Sequence, residues 1–216
     1  MTNPVNITAI VEDEALVETR RGQIVAAATT LFSSQGFYKT TIKDIAKKAG
    51  ISPGLVYLYV REKEDVLLLV LLQVVNAYVE EIPPAIDGID DPLLKLAAAV
   101  RAYCEVVDKY RAASVLAYRS TKSLSPERRL LIQSRETETN EILGAIIIEC
   151  MKAGLVRKLN VDIVIYQIVL AAHGWALKSW YFKSRFTLTE YVDETLDILF
   201  AGILTEKGRK HLQSVR

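Results

Sequence analysis

Two short helical patterns, separated by a break at residues 50–52, lie in the segment TIKDIAKKAGISPGLVYLYVREK, which runs from Thr41 to Lys63. Thr41 with Asp44 three residues later is typical of a helix N-cap, and Gly50 is typical of a helix end. The Ser-Pro pair at 52 and 53 predicts a second helix of about two turns, because proline at the first helical position loses no hydrogen bond. Two helices joined by so short a turn indicate a helix-turn-helix, whose second helix commonly enters the major groove of DNA. The alternative is an ordinary helical hairpin inside a core.

The charge around this segment is locally positive, although the whole chain, with 27 basic and 26 acidic residues, is nearly neutral. Residues 19–63 contain eight basic residues and two acidic ones. A local excess of positive charge suits binding to a phosphate backbone. Arg20 and Arg21, near the start of the first helix, are candidates to reach a phosphate or the minor groove. A solvated charged surface is the alternative.

The same segment carries a longer pattern of residue types. Its positions are Leu31, Phe32, Gly36, Thr41, Ile42, Ile45, Ala46, Ala49, Gly50, Ser52, Leu55, Tyr57, Tyr59, Lys63 and Leu67. With these residues, the run from Ile24 to Leu72 resembles the DNA-binding domain of the tetracycline-repressor-type (TetR/AcrR) regulators. The resemblance implies base contacts by Gly54 and Tyr57 with help from Ser52 and Leu55, and phosphate contacts by Thr41, Tyr59 and Lys63. One difference is Leu58, where many members have a second aromatic residue.

Helical spacing of apolar residues recurs along the rest of the chain, and no alternating pattern of a β-strand is present. We therefore expect an all-α fold: a three-helix helix-turn-helix DNA-binding domain over residues 13–63, a linking helix over residues 64–82, and a helical ligand-binding and dimerisation domain over residues 83–207. Pro83-Pro84 and the turn signals at 87–92 mark the expected boundary. Further helices are predicted over residues 92–109, 111–122, 125–153, 160–183 and 188–205.

The last two predicted helices present more apolar surface than one core needs. On the first of them, one face consists of Ile163, Tyr166, Leu170, His173, Leu177 and Tyr181, and another of Ile168, Ala172, Trp175, Ser179 and Phe182. The last helix offers Val192, Leu196, Leu199 and Ile203, with Gly202 permitting close approach. A helix with two apolar faces needs two partners, and the family pairs these helices in a four-helix interface, so we expect a homodimer. Burial within one chain is the alternative for either face alone.

Motifs of catalysis, of phosphate-binding glycine loops and of metal ligation are not found in the sequence. Cys104 and Cys150 lie far apart and are expected to be reduced thiols in the core of a cytoplasmic protein. The apolar run Val66–Leu72 is too short to span a membrane, and no signal peptide is indicated at the N-terminus. We therefore expect no cofactor, no metal, no membrane contact and no enzymatic activity.

Aromatic and basic residues of the C-terminal region could instead line a binding site for a small hydrophobic effector. The candidates are Tyr103, Tyr118, Arg119, Lys122, Tyr166, His173, Trp175, Lys178 and Trp180. Filling of the core is the alternative for each aromatic residue. The segments 118–124 and 174–180 resemble a branch of these regulators that senses acyl-CoA or related CoA thioesters, whose phosphates suit cations and whose acyl groups suit aromatics.

The predicted function is that of a one-component transcriptional regulator, expected to be a repressor that binds a palindromic DNA operator as a dimer. An effector in the C-terminal domain would favour a conformer whose two reading heads no longer match successive major grooves. The alternatives are a multidrug-type sensor of lipophilic ligands with the same fold, and an all-α ligand carrier or enzyme.

Overall fold

The computed structural model describes Ile7 and residues 9–215. Within these residues the chain forms α-helices and no strand, which confirms the expected all-α fold. The helices are α1 (Glu14–Gln35), α2 (Ile42–Ala49), α3 (Pro53–Val56), α4 (Lys63–Ile86), α5 (Pro92–Lys109), α6 (Arg111–Ser120), α7 (Pro126–Lys152), α8 (Val161–Leu177), α9 (Ser179–Phe182), α10 (Leu188–Ile203) and α11 (Glu206–Val215). A short 3-10 turn at Thr121–Ser123 connects α6 to α7.

The ends of the helix-turn-helix are set by the residues that the sequence indicated. Thr41 caps α2: its hydroxyl accepts the backbone N–H of Asp44 at 3.2 Å, and its own N–H donates to the Asp44 carboxylate at 2.9 Å. Gly50 then ends α2 with a φ of 72°, a left-handed conformation that glycine adopts without strain. Ser52 caps α3 by accepting the backbone N–H of Leu55 at 3.2 Å. These local hydrogen bonds explain why the motif could be predicted.

Several helix boundaries differ from the predictions. The helix α3 is a single α-helical turn, shorter than the two turns expected, and residues 57–59 continue it as a turn. The helix α4 does not end before Pro83-Pro84 but continues to Ile86. Each proline removes one N–H donor, and within the last turn of a long helix that loss was not enough to end it.

Two differences fall in the C-terminal part. The helix predicted over residues 160–183 is interrupted at Lys178, which separates α8 from the single turn α9. The helix α11 was not predicted, because its sequence contains few apolar residues. It packs closely on the chain instead: a Cβ at Gly208 would lie 2.0 Å from the carbonyl oxygen of Leu155, so a side chain there would not fit.

The chain divides into two compact units. The first contains the residues up to Val75 together with residues 112–135, and the second contains residues 76–111 and 136 onward. In the first unit α1 packs on α2, and α2 on α3, around fully buried residues such as Ile24, Phe32 and Ile45. Residues 112–135, which include most of α6 and the start of α7, belong to the first unit, and the domain bounds of 13–63 and 83–207 stay a prediction.

In the second unit α5 packs on both α8 and α10. Its core includes Leu96, Val107, Leu143, Ala172 and Phe200, which are all buried. Among the described residues, α4 is the one helix long and apolar enough to cross a membrane by length and composition. Because 56% of its apolar window is buried inside the structure, this helix has the properties of a core helix.

Candidate nucleic-acid interface and ligand-binding residues

The helix α3, the second helix of the motif and the expected recognition helix for DNA, presents small groups at the surface and is followed by an exposed tyrosine. Ser52, Gly54 and Tyr57 are exposed, Leu55 is half-buried, and Val56 is fully buried and fixes the helix to the core. Tyr57 is 49% exposed and directly follows the helical turn. The four residues expected to read bases therefore lie at or near the surface, and their role in base contact remains a prediction.

Tyr59, expected to hold a phosphate, lies in the interior and is 2% exposed. A buried phenol ring offers no surface to a phosphate, so the structure places this side chain in the core of the first unit. Its backbone carbonyl is also occupied, because Nε and Nη2 of Arg21 each donate to it at 3.1 Å. Arg21 is thus engaged inside the unit instead of reaching outward, and its half-burial lowers its pKa.

Lys63, the third residue expected at a phosphate, is engaged within the protein as well. Its Nζ donates to the carbonyl oxygens of Phe37 and Thr40, each at 2.8 Å, and of Tyr38 at 3.3 Å. The same nitrogen lies 4.5 Å from the centroid of the Phe37 ring. An ammonium group has three donors, and all three have acceptors here. Lys63 therefore stabilises the turn between α1 and α2.

Thr41 remains an exposed candidate for a phosphate contact. Its hydroxyl donates to the Asp44 carboxylate at 2.7 Å, and the hydrogen bonds from Thr41 hold the pKa of Asp44 below its usual value. Further cations that the sequence did not single out are exposed on the same unit: Lys39, Lys43, Lys47 and Lys48. In the sequence these lysines contributed only to the local excess of positive charge, because no sequence signal distinguishes an exposed lysine from a buried one.

The ligand-site candidates of the second unit include one contacting pair in its interior. Tyr103 and His173 meet, with Oη of Tyr103 3.4 Å from Nε2 of His173, and Oη of Tyr78 lies 3.2 Å from the same nitrogen. The rings of Tyr78 and Tyr103 stack with centroids 4.1 Å apart. Burial lowers the pKa of His173 to about 4, so its ring is neutral at pH 7. The sequence did not identify Tyr78, which lies in the apolar pattern of α4.

Trp175 is also in the interior and is 1% exposed. Its indole N–H donates to the Asp108 carboxylate at 2.8 Å, and Lys183 Nζ lies 2.9 Å from the same oxygen. Burial alone would raise the pKa of Asp108, but the hydrogen bonds from Trp175 and Lys183 and the positive charges of Lys183 and Arg111 outweigh it and lower the pKa. Trp175 is therefore held by contacts within the protein that do not require a ligand.

The other ligand candidates are exposed. Tyr166, Lys178 and Trp180 lie on the surface of the second unit. Tyr118, Arg119 and Lys122 lie on the surface of the first unit, on α6 and the turn that follows it. The expected set is thus divided between interior and surface positions, and its role in ligand binding remains a prediction.

The apolar faces expected at a dimer interface are only partly free. Val192, Leu196 and Ile203 of α10 are buried within the chain, so these residues do not form the exposed seam that the sequence indicated. On α8, in contrast, Ile163, Tyr166, Leu170 and Leu177 of the first predicted face are exposed, and the exposed large apolar residue of α10 is Ile198. The spacing of α10 predicted the correct periodicity, but the apolar stripe faces α5 and α8.

The cysteines are buried thiols. Burial raises the pKa of both Cys104 and Cys150 to about 12, which leaves them protonated and unreactive at pH 7. Within the described part of the chain, no group of three or more His, Cys, Asp or Glu residues is arranged to hold a metal ion.

Two family models match this chain. One, described as bacterial regulatory proteins of the tetR family, matches residues 24–70, and one described as a tetracyclin repressor-like C-terminal domain matches residues 90–203. The HTH-type transcriptional regulator HbdR of Aromatoleum sp. (strain CIB) is 48% identical over 215 residues, covering 100% of this chain and 94% of the relative. The repressor KstR2 of Mycolicibacterium smegmatis is 28% identical over 196 residues, covering 89% of this chain and 95% of the relative.

Solved structures share the fold. The structure of AibR in complex with isovaleryl coenzyme A and operator DNA has a TM-score of 0.73 and 20% sequence identity, covering 84% of this chain and 98% of AibR. At that identity the likeness establishes the fold. The matched residues of the first family model include the whole of α2 and α3, where the caps and the exposed recognition helix were found.

Proposed function

Because the chain belongs to the TetR family and is therefore a DNA-binding transcriptional regulator, we propose that it is a homodimeric repressor that a CoA thioester releases from a palindromic operator. The observation that carries the regulator assignment is the capped helix-turn-helix with Ser52, Gly54 and Tyr57 at its surface. Members of such a family are regulators and not enzymes. We place the protein in the cytoplasm, where its DNA lies, and assign it no membrane contact.

The likeness to known regulators supports a CoA thioester as the effector. AibR, which shares the fold, was solved with isovaleryl coenzyme A. Relatives include a fatty acid metabolism regulator of Bacillus subtilis, which is 21% identical over 84% of this chain. Lys178, an exposed cation of the second unit, has the chemistry to bind the phosphates of the carrier. Tyr166 and Trp180, which are exposed on the second unit, offer apolar surface for an acyl group.

In the proposed mechanism a dimer holds two recognition helices at the spacing of successive major grooves. Tyr57 and Gly54, with Ser52 and Leu55, read bases, while Thr41 and the exposed lysines hold phosphates. An effector that binds more tightly to a conformer with a different spacing shifts the population toward that conformer and lowers the affinity for the operator. Only this difference in affinity between the two conformers can drive the release.

The experiment titrates the complex of the protein and its own promoter DNA with isovaleryl-CoA, octanoyl-CoA and benzoyl-CoA. Free CoA, the three free acids and lipophilic cations serve as comparisons. We expect at least one thioester to release the DNA, and we expect CoA and the free acids to act poorly because each satisfies one end of the site. Lys178→Ala should raise the thioester concentration needed for release. Lys158→Ala, at another exposed lysine, is the matched control.

Release by the lipophilic cations alone would assign the protein to the multidrug-type sensors and reject the CoA thioester. A failure to bind promoter DNA selectively would contradict the placement of the recognition helix. Trp175→Ala is unsuitable as a ligand variant, because the loss of a side chain that is 1% exposed leaves a cavity and costs about 3–5 kcal/mol of stability.

A further inference from the structure

The turn that leaves the recognition helix is held from two sides. On one side, Arg21 of α1 donates twice to the carbonyl oxygen of Tyr59. On the other side, the carboxylate of Asp65 accepts the backbone N–H of Arg61 at 2.8 Å, and the side-chain Nε of Arg61 lies 3.4 Å from the same oxygen. The two anchored residues follow Tyr57 by two and four positions. The orientation of Tyr57 at the surface of the first unit therefore depends on these contacts.

Asp65 is fully buried, so its charge needs compensation inside the protein. The second oxygen of its carboxylate accepts a hydrogen bond from Nη2 of Arg128, which is itself 5% exposed. Nη1 of Arg128 forms ion pairs with Glu64 at 2.9 Å and with Glu62 at 3.1 Å, although its N–H groups do not point at either carboxylate in the geometry of a hydrogen bond. Arg128 is thus the buried cation of a cluster of three carboxylates at the start of α4.

Arg128 does not belong to the helix-turn-helix but to the first turn of α7. Two more contacts attach the residues just before this turn: the backbone N–H of Ser125 donates to the Glu64 carboxylate at 2.8 Å, and the hydroxyl groups of Ser123 and Tyr38 are 3.0 Å apart. All of these residues lie in the first unit, whereas α7 continues past residue 135 into the second. A helix from outside the motif therefore contributes to the motif's support.

We infer that Arg128 is a positioning residue for DNA binding. Through Asp65 it holds the backbone of Arg61, and with it the turn and the recognition helix, in the orientation that contact with bases requires. It acts from the interior and touches no phosphate itself. A displacement of the first turn of α7 would release Asp65 and loosen the recognition helix. This expected effect of a displacement links α7 to regulation, and this part of the inference rests on the proposed function.

The test compares Arg128→Gln, Asp65→Asn, the double variant and Arg129→Gln, a matched loss of charge at the next residue of α7. Each protein binds its own promoter DNA between about 50 and 200 mM salt. We expect Arg128→Gln to weaken binding about tenfold with the wild-type salt slope, because no phosphate contact is lost. The double variant should bind less tightly than wild type, but more tightly than the two single effects combined predict. Arg129→Gln should bind as wild type.

Amide hydrogen exchange supplies a readout that a general loss of stability would not produce. In Arg128→Gln the N–H of Arg61 should exchange about tenfold faster while the amides of α2 keep their wild-type rates. A drop of about one in the salt slope would show a phosphate contact and overturn the inference. Additive effects of the two single substitutions on DNA affinity would also overturn it, as would a folded double variant with wild-type DNA affinity and wild-type amide exchange. If Arg128→Gln alone does not fold, the double variant provides the test. None of these measurements uses an effector, so the CoA titration can fail independently.

Discussion

Individual basic residues of the DNA-binding unit differ in what their charge contacts. Arg21 and Lys63 belong to the positive excess of residues 19–63, yet both donate to backbone carbonyls inside the unit. Lys43 and Lys47 have the same formal charge and are exposed on α2. A charge count therefore overstates the number of residues that are ready to hold DNA, because burial and carbonyl acceptors decide which cations face solvent.

Lys63→Met should lower the free energy of unfolding by about 2 kcal/mol, since the Nζ donates charge-assisted hydrogen bonds to Phe37 and Thr40. The salt slope of DNA binding should stay at the wild-type value. Urea denaturation and DNA titrations at several salt concentrations measure the two quantities. Lys47→Met is the control: we expect its stability to change by less than about 0.5 kcal/mol and its slope to fall by about one. The reverse pattern would show that Lys63 reaches a phosphate.

His173 should make stability depend on pH. Its pKa is lowered to about 4 by burial, from 6.5 in the unfolded chain. Between these values the unfolded state takes up a proton that the folded state refuses, so stability is lost as pH falls from about 6.5 toward 4. We expect the wild type to lose about 2–3 kcal/mol more over this range than His173→Gln. Parallel curves of unfolding free energy against pH for the two proteins would contradict this.

At the scale of elements, the recognition helix α3 is too short to be stable by itself. Its conformation comes from the Ser52 cap, the buried Val56 and the anchored turn that follows. An element held in this way can be rigid without being long. The exposed side chain of Tyr57, which directly follows α3, takes part in none of these contacts and is therefore available for contact with DNA.

Tyr57→Ala should therefore leave the fold intact and act on DNA binding. We expect a loss of about 1–3 kcal/mol of binding free energy at the operator and a smaller difference between operator and unrelated DNA. Competition experiments with both DNAs measure this difference. Tyr118→Ala removes another exposed tyrosine of the same unit and serves as the comparison, with selectivity expected to stay at the wild-type level. Wild-type affinity and selectivity in Tyr57→Ala would move the base-reading surface elsewhere.

At the scale of the whole molecule, α8 and α10 expose apolar side chains that a monomer would leave in water. Ile198 is 74% exposed, and Ile163, Leu170 and Leu177 are exposed on α8. Exposed apolar residues on neighbouring helices are typical of an association surface. They support the proposed homodimer, with a seam that differs from the buried stripe expected from the sequence of α10.

Ile198→Glu should dissociate the dimer without unfolding the chain, since the residue is exposed in the monomer and burial of an unpaired carboxylate in the seam is unfavourable. Light scattering should give the monomer mass and circular dichroism a wild-type helix content. Leu130→Glu, at an exposed leucine of the first unit, should remain a dimer. A dimeric Ile198→Glu would place the interface on another surface.

The sequence by itself determined the all-α fold, the helix-turn-helix and most helix ends. Those signals act over three or four residues: a Thr41 hydroxyl on the N–H of Asp44, a left-handed Gly50, an apolar residue on every helical turn. Such interactions are the same in any surroundings, so they can be read before the chain is packed. The family pattern added the expected roles of Gly54 and Tyr57, which the structure places at the surface.

Only the tertiary structure decided which of the expected residues are available. It placed Tyr59 and Trp175 in the interior, assigned Lys63 to carbonyl oxygens, and turned Val192 and Leu196 toward other helices of the same chain. It also joined Asp65 to Arg128, which lie 63 positions apart. Burial and pairing of this kind depend on how distant helices pack, and helical periodicity specifies that a face is apolar without specifying which partner covers it.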